Sequence, residues 1–178
     1  LLRWSPAGRG DVDALRLFRC TPKGRNVRRF GTWELDHPRP HELRVQALIC
    51  HHLKPVGDRD RTVLLGWEGA DLGGVTTYRR IGSGAYMIDV LAIAERFRHR
   101  RGGWGREALS TTLGYITADT DEDGYNVAGV SALIHEDNRA SQRIFELERF
   151  EITALRDDGY QVWSADLIIE GADLPEDF

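Results

Sequence analysis

The sequence predicts an α/β domain with a mixed, largely antiparallel central sheet flanked by helices. Three observations carry that expectation. The element order reads two helices, three strands, helix, strand, helix, two strands; a long apolar run, Ala85 to Ala94, feeds a glycine- and arginine-rich turn and then a helix; and the last two strands flank the turn Asp157-Asp158-Gly159. The 178 residues, 41% hydrophobic and 29% charged, suffice for one core without disulfides or metals. No repeat or linker divides them, so residues 1–178 are read as a single domain.

In chain order, Asp11 to Arg19 and His41 to Leu53 carry apolar residues at helical spacing. Cys20 to Pro40 between them, rich in Pro, Gly and Arg, reads as a loop holding Phe30 and Trp33. Thr62 to Glu68 and Gly73 to Arg80 read as strands around Gly69-Ala70-Asp71, and Ala85 to Ala94 completes a meander. Arg96 to Gly105 leads into a helix from Trp104 to Ala118, with Ala108, Leu109, Thr112, Leu113 and Ile116 on one face and the acidic loop Asp119 to Gly124 ending it. Val127 to Ile134 is the next strand, and a short helix then turns Ala140, Ile144 and Phe145 inward. Glu151 to Arg156 and Tyr160 to Ile168 form the closing hairpin.

With 24 Lys plus Arg against 28 Asp plus Glu the net charge is -4, so the chain as a whole is not drawn to nucleic acid or anionic membrane, and anion binding must be local. Two cysteines, Cys20 and Cys50, make no disulfide framework and fit a reduced, cytoplasmic setting. No apolar run approaches the roughly 20 residues that span a bilayer, and no secretory signal pattern opens the chain. The sequence starts at Leu1 and has Met87 as its one methionine, so natural first residues are expected ahead of it. Lys23 and Lys54 are the only lysines, an arginine bias that reads as base composition before function.

The most informative segment is Ala92 to Leu109, AIAERFRHRRGGWGREAL. A strand, a glycine-rich turn and a helix start place free N–H groups where the helix dipole also favours negative charge, and phosphate is the obvious ligand. Gly102, Gly103 and Gly105 let the backbone approach a pyrophosphate, while Arg96, Arg98, Arg100, Arg101 and Arg106 add positive charge with no acid between them. A solvated basic turn ahead of an ordinary helix is the plainer alternative. The segment has neither the Lys-Ser/Thr of a P-loop nor the spacing of a dinucleotide fingerprint.

Arg100-Arg101-Gly102-Gly103-Trp104-Gly105 resembles the Q/R-x-x-G-x-G/A signature of the GNAT superfamily of acyl-CoA-dependent N-acetyltransferases. Asn138-x-x-Ser141 followed by Ile144-Phe145-Glu146 and Phe150 resembles that family's second motif, and the likeness runs from about Ile88 to Phe150. The resemblance implies a GNAT-like sheet whose strands splay at the cofactor site. It implies that the backbone of Ile93 and Ala94 pairs with the pantetheine arm of acetyl-CoA, that Arg100 to Gly105 wraps its pyrophosphate with Arg106 nearby, and that Asn138 and Phe145 line the thiol end. Splayed strands leave N–H and C=O groups that an amide-bearing pantetheine can satisfy like an added strand. A plain helix N-cap is the alternative for Asn138. Phe145 stands where many members carry a proton-donating tyrosine, and Arg149 where they carry glycine or a small residue.

For the base, Asp89 is the lone charge in the run Tyr86 to Ile93, and a carboxylate inside a sheet is either paired or tuned. It resembles the carboxylate that deprotonates the amine in some members; an arginine partner is the alternative. Glu95 is the second candidate and His135, an imidazole that can accept a proton, the third. The Cys50-His51-His52 cluster is no metal site by itself, because consecutive helical residues diverge by about 100° each. The reading is an N-acetyltransferase moving an acetyl group from acetyl-CoA to a primary amine by direct attack, with no nucleic-acid or membrane partner and a homodimer as an allowed assembly. The alternative is a non-catalytic acyl-CoA-binding module. Fold analogy places Phe30, Trp33, Glu34, Asp36, Asp157 and Asp158 on the acceptor side.

Overall fold

The computed structural model describes residues 1–30, 32–52, 60–98 and 102–169. Arg100 and Arg101 lie outside the described residues, as do the side chains of Trp33 and Glu34.

Seven strands, β1 Arg3–Pro6, β4 Arg61–Glu68, β5 Asp71–Gly82, β6 Ala85–Ile93, β7 Val127–His135, β8 Glu151–Leu155 and β9 Tyr160–Ile168, form one sheet in the order β1-β4-β5-β6-β7-β9-β8. Every pairing is antiparallel except β6 with β7. That parallel pair needs a long crossover, which α4 (Trp104–Glu122) supplies. The other helices are α1 (Val12–Leu17), α2 (Pro40–Ala47) with a π turn at Leu48–His52, a single turn α3 (Glu95–Arg98) and α5 (Arg139–Leu147).

The segment read as a loop holds a hairpin, β2 (Arg25–Arg29) with β3 (Thr32–Asp36), in which Arg25 faces Asp36 across the strands. The acidic run does not end α4 at Ala118. The helix continues to Glu122 because Thr120 is buried and caps the Ile116 carbonyl at 2.6 Å, while Asp119 accepts the Tyr78 hydroxyl at 2.6 Å and so ties the helix to the sheet.

A bulge in β6 decides how the core divides. Thr77 pairs with Val90 and Tyr78 with Ile88, leaving Asp89 without a register partner. An unbroken strand would put Tyr86, Ile88, Val90 and Ala92 on one face. Instead, Tyr86 and Ile88 pack with Leu109, Leu113 and Ile116 beneath α4, and Val90 and Ala92 pack with Leu15, Phe18 and Ile49 on the opposite side. One extra residue thus lets a single strand serve both cores and turns its far end toward the cleft at the start of α4.

The end of α5 keeps the geometry that Arg149 put at issue. Arg149 adopts φ +63°, the left-handed conformation that glycine takes without strain. Its N–H reaches the Glu146 carbonyl at 3.0 Å and the Phe150 N–H the Phe145 carbonyl at 3.0 Å, the paired bonds of a Schellman cap. The Phe145 and Phe150 rings meet edge to face at 4.8 Å, completing the cap's apolar contact. A left-handed L-residue costs roughly 1–2 kcal/mol. Arg149→Gly is therefore expected to stabilise the chain by about 1 kcal/mol, part of the relief being offset by glycine's extra freedom when unfolded, and to raise Tm by roughly 2–4 °C in thermal unfolding. An unchanged or lower Tm would show that the arginine side chain contributes more than its backbone costs.

Candidate active site

Beyond the pairs Ala85 with Gly129 through Ile88 with Ala132, β6 and β7 part company. The remainder of β6 is paired on its β5 side only. Ala94 donates its N–H to the Gly73 carbonyl at 2.8 Å, on that paired side. Alternation along the strand therefore turns the Ile93 main chain to the open side. This corrects the expectation for Ala94, whose N–H already has a partner, and leaves Ile93 at the gap. The Ile93 carbonyl accepts a long hydrogen bond from Arg98 Nε at 3.4 Å.

The gap opens into a cavity of about 580 Å³. Leu91, Ala92 and Ile93 form one wall, and Gly103 to Arg106 at the start of α4 form the second. The start of α5 contributes Asn138, Ser141 and Ile144, and α2 closes the cavity with His41, Glu42 and Val45. Glu107 N is the first to bond back into α4, to the Gly103 carbonyl at 3.0 Å, so the N–H groups of the preceding turn precede the helical ladder. A nineteen-residue helix thus presents its N-terminus to the cavity.

The three glycines do different work. A Cβ on Gly102 would lie 2.3 Å from the Trp104 indole, and one on Gly105 would lie 2.6 Å from Ile144 Cδ1, where α4 meets α5. Gly103 alone is open, with nothing within 4 Å of its Cβ position, and it takes φ +64° at the N-cap. Of the three, Gly103 has open space beside its backbone, whereas Gly102 and Gly105 make room for neighbouring side chains.

Three of the arginines that the sequence shows with no acid between them have acidic partners in the fold. Arg96 pairs with Asp71 at 3.0 Å, Arg98 with Glu42 at 2.6 Å and Arg106 with Glu148 at 2.8 Å. Acids distant in sequence neutralise these three arginines. The Arg98–Glu42 pair also straps α2 across the cavity to α3. Glu42 is buried, which raises its pKa, yet hydrogen bonds from Thr21 and Arg98 and the charges of Arg98 and Arg39 outweigh burial and hold it below the ordinary carboxylate value.

Asn138 caps α5, its Oδ1 accepting from Ser141 N at 3.2 Å, and it also lines the cavity. Phe145 does not line the cavity; its ring is 2% exposed and occupied with Phe150.

Asp89 is no lone charge. The Arg79 Nε lies 3.1 Å from each of its oxygens and an Arg61 nitrogen 3.3 Å from one. It is absent from the cavity wall. Glu95 is absent too, and lines a separate cavity of about 420 Å³ with Leu17, Phe18 and Trp67. His135 stands just behind the wall. Its ring stacks on His41 at 4.8 Å, meets Tyr160 edge-on at 5.1 Å, and accepts the Asp137 N–H on Nδ1 at 3.2 Å. His41 itself, which sequence reasoning passed over as one more position of a helix, faces the cavity. Among the described residues no group of His, Cys, Asp and Glu could hold a metal, and no helix is long and apolar enough to cross a membrane.

No family model and no curated protein matches the sequence. Solved structures match the fold. An acetyltransferase from Thermus thermophilus matches with TM-score 0.64 at 16% identity, over 93% of this chain and 97% of that one. A GNAT-family structure from Desulfovibrio desulfuricans matches with TM-score 0.56 at 20% identity, over 95% and 98%. The chain has the GNAT acetyltransferase fold. The PaiA N-acetyltransferase from Thermoplasma acidophilum in complex with coenzyme A matches with TM-score 0.61 at 9% identity, over 94% and 99%. At such identities the likeness to GNAT structures is one of fold. The parallel β6–β7 pair, the α4 crossover and the seven-stranded sheet are its content here.

Proposed function

We propose that this chain is an N-acetyltransferase that takes acetyl-CoA as co-substrate and acetylates a primary amine by direct attack, in the cytoplasm. One observation carries the reading: the free N-terminus of α4 and the unpaired edge of β6 open on the same cavity. The first suits a pyrophosphate and the second an amide-bearing arm about one strand wide. In this proposal Gly103, Trp104 and Gly105 receive the pyrophosphate with Arg100, Arg101 and Arg106 at its rim, and Gly102 keeps the Trp104 indole in place. Ile93 pairs with pantetheine, Asn138 meets the thiol end, and Phe145 supports that wall from behind. The amine attacks the thioester carbonyl, the C–S bond breaks, and CoA leaves as a thiolate that takes up a proton. Phe145 supplies no proton, so the thiolate draws on water or another group; thiols near pKa 8.5 leave without strong assistance.

A panel of primary amines, read as release of free CoA thiol, tests the proposal. Acetyl-dependent thiol release with at least one amine class is the expected result. Acetyl-CoA binding with no release across the panel would leave a binding module in place of an enzyme.

A further inference from the structure

Among the described residues, every cavity-lining group that could accept a proton, save one, is otherwise engaged or turned to solvent. Glu42 receives Thr21 at 2.6 Å, Arg98 at 2.6 Å and Arg39 at 3.1 Å. The Cys20 thiol is pushed up to about 11, chiefly by burial, and stays protonated. Asp137 projects from the rim with its side chain 79% exposed. His41 is half-buried, and no hydrogen bond reaches either of its ring nitrogens among the described residues. Its ring is fixed by the parallel stack on His135, 4.8 Å between centroids at an interplanar angle of 12°.

We propose that His41 is the proton acceptor for the incoming amine in the acetyl transfer, and the assignment rests on the acetyltransferase reading. An acceptor ammonium gives one proton to a ring nitrogen of His41, which frees its lone pair; the N–C bond then forms at the thioester carbonyl as the C–S bond breaks. The second amine proton leaves as the amide forms, one proton ends on the departing thiolate, and the imidazolium returns the other to solvent.

The surroundings of the ring keep it ready. Burial first, and the facing His135 second, push His41 below the ordinary imidazole pKa, with Arg39 acting in the same direction. Glu42 on α2 and Asp137 on the turn after β7 pull the other way without reversing the result. Behind His135 stands Tyr160 of β9, itself covered by the Arg44 guanidinium at 5.8 Å, and Arg98 faces Glu42 across the cavity. At neutral pH the ring is therefore uncharged and free to take a proton, and its cationic form is short-lived because burial and a second imidazole oppose it.

The test compares His41→Gln with the unaltered chain over pH, using the amine that the panel identifies, and measures acetyl-CoA affinity by calorimetry on the same preparations. The expected result is a loss in kcat/KM of about 100-fold at neutral pH with the acidic limb of the profile removed and acetyl-CoA affinity held within about twofold. His41→Ala is expected to recover part of its rate on addition of imidazole, a response that a packing role would not produce. A variant within about threefold of the unaltered rate at every pH, or one whose loss follows lost acetyl-CoA affinity, would overturn the assignment while leaving the acetyltransferase reading intact. An unaltered chain that acetylates no amine would sink that reading and this assignment with it, a pattern distinct from the other two.

Discussion

Gly103→Asp is expected to weaken acetyl-CoA binding by at least about 100-fold while the chain still unfolds cooperatively. The position is the N-cap of α4, its backbone is left-handed at φ +64°, and a Cβ there meets nothing within 4 Å. Space is therefore no obstacle, and aspartate tolerates the left-handed region better than most side chains. A carboxylate at a helix N-terminus favours the unbound fold through the dipole. The same charge would sit about 4 Å from a bound pyrophosphate, where like charges repel by up to roughly 4 kcal/mol at an effective dielectric of 20. About 70% of that repulsion, roughly 2.8 kcal/mol, suffices for a 100-fold loss, and calorimetry with acetyl-CoA reads it directly. Gly103→Ala, which adds strain without charge, is expected to lose far less. Unchanged affinity in the aspartate variant would mean that the pyrophosphate lies elsewhere.

The parts of the fold legible in the sequence are those with a local pattern, a period or a turn. The inner face of α4 repeats every 3.6 residues, while the meander β4 to β6 and the final hairpin are marked by apolar runs and the turns between them, and their bounds agree with the structure to within a few residues. β1 was illegible because four residues, Arg-Trp-Ser-Pro at a sheet edge, hold too little pattern. The β2–β3 hairpin was hidden by its charges, since Arg25, Arg28 and Arg29 suggest a loop until Asp36 is seen opposite Arg25. The end of α4 was hidden for the opposite reason: Asp119 reads as solvent-facing until the Tyr78 hydroxyl, forty-one residues away, is found on it.

The site divides along the same line. Gly103 and Asn138 were legible because a helix start is a local event, written in the residues that make it. The partners of Arg96, Arg98 and Arg106 come from β5, α2 and the end of α5, and no local pattern carries them. His41 escaped notice on the same grounds. What distinguishes it from any other helical histidine is the cavity in front and His135 behind, and both are products of the splay between β6 and β7.

Asp89→Asn is expected to cost stability before rate. From the sequence this residue is the leading base, and on that view its amide should lower kcat/KM by about 100-fold. In the structure it is the extra residue of the β6 bulge, with its side chain 18% exposed and both oxygens engaged by Arg79 and Arg61. Asparagine keeps the shape but not the charge, and it leaves two guanidinium groups facing each other across the strands. Charge-assisted hydrogen bonds in such a setting are worth about 1.5–3 kcal/mol. Arg61 and Arg79 are 26% and 40% exposed, so water screens part of that. A net loss of about 1–2 kcal/mol in denaturant unfolding follows. The carboxylate is held by two guanidinium groups and is absent from the cavity wall, which argues against Asp89 as the base. The rate should fall by less than about threefold, with the acidic limb of the pH profile unmoved, because that limb belongs to His41 under the proton-acceptor assignment. A 100-fold loss of rate in a variant of unaltered stability would return the base to Asp89 and require the bulge to open during turnover.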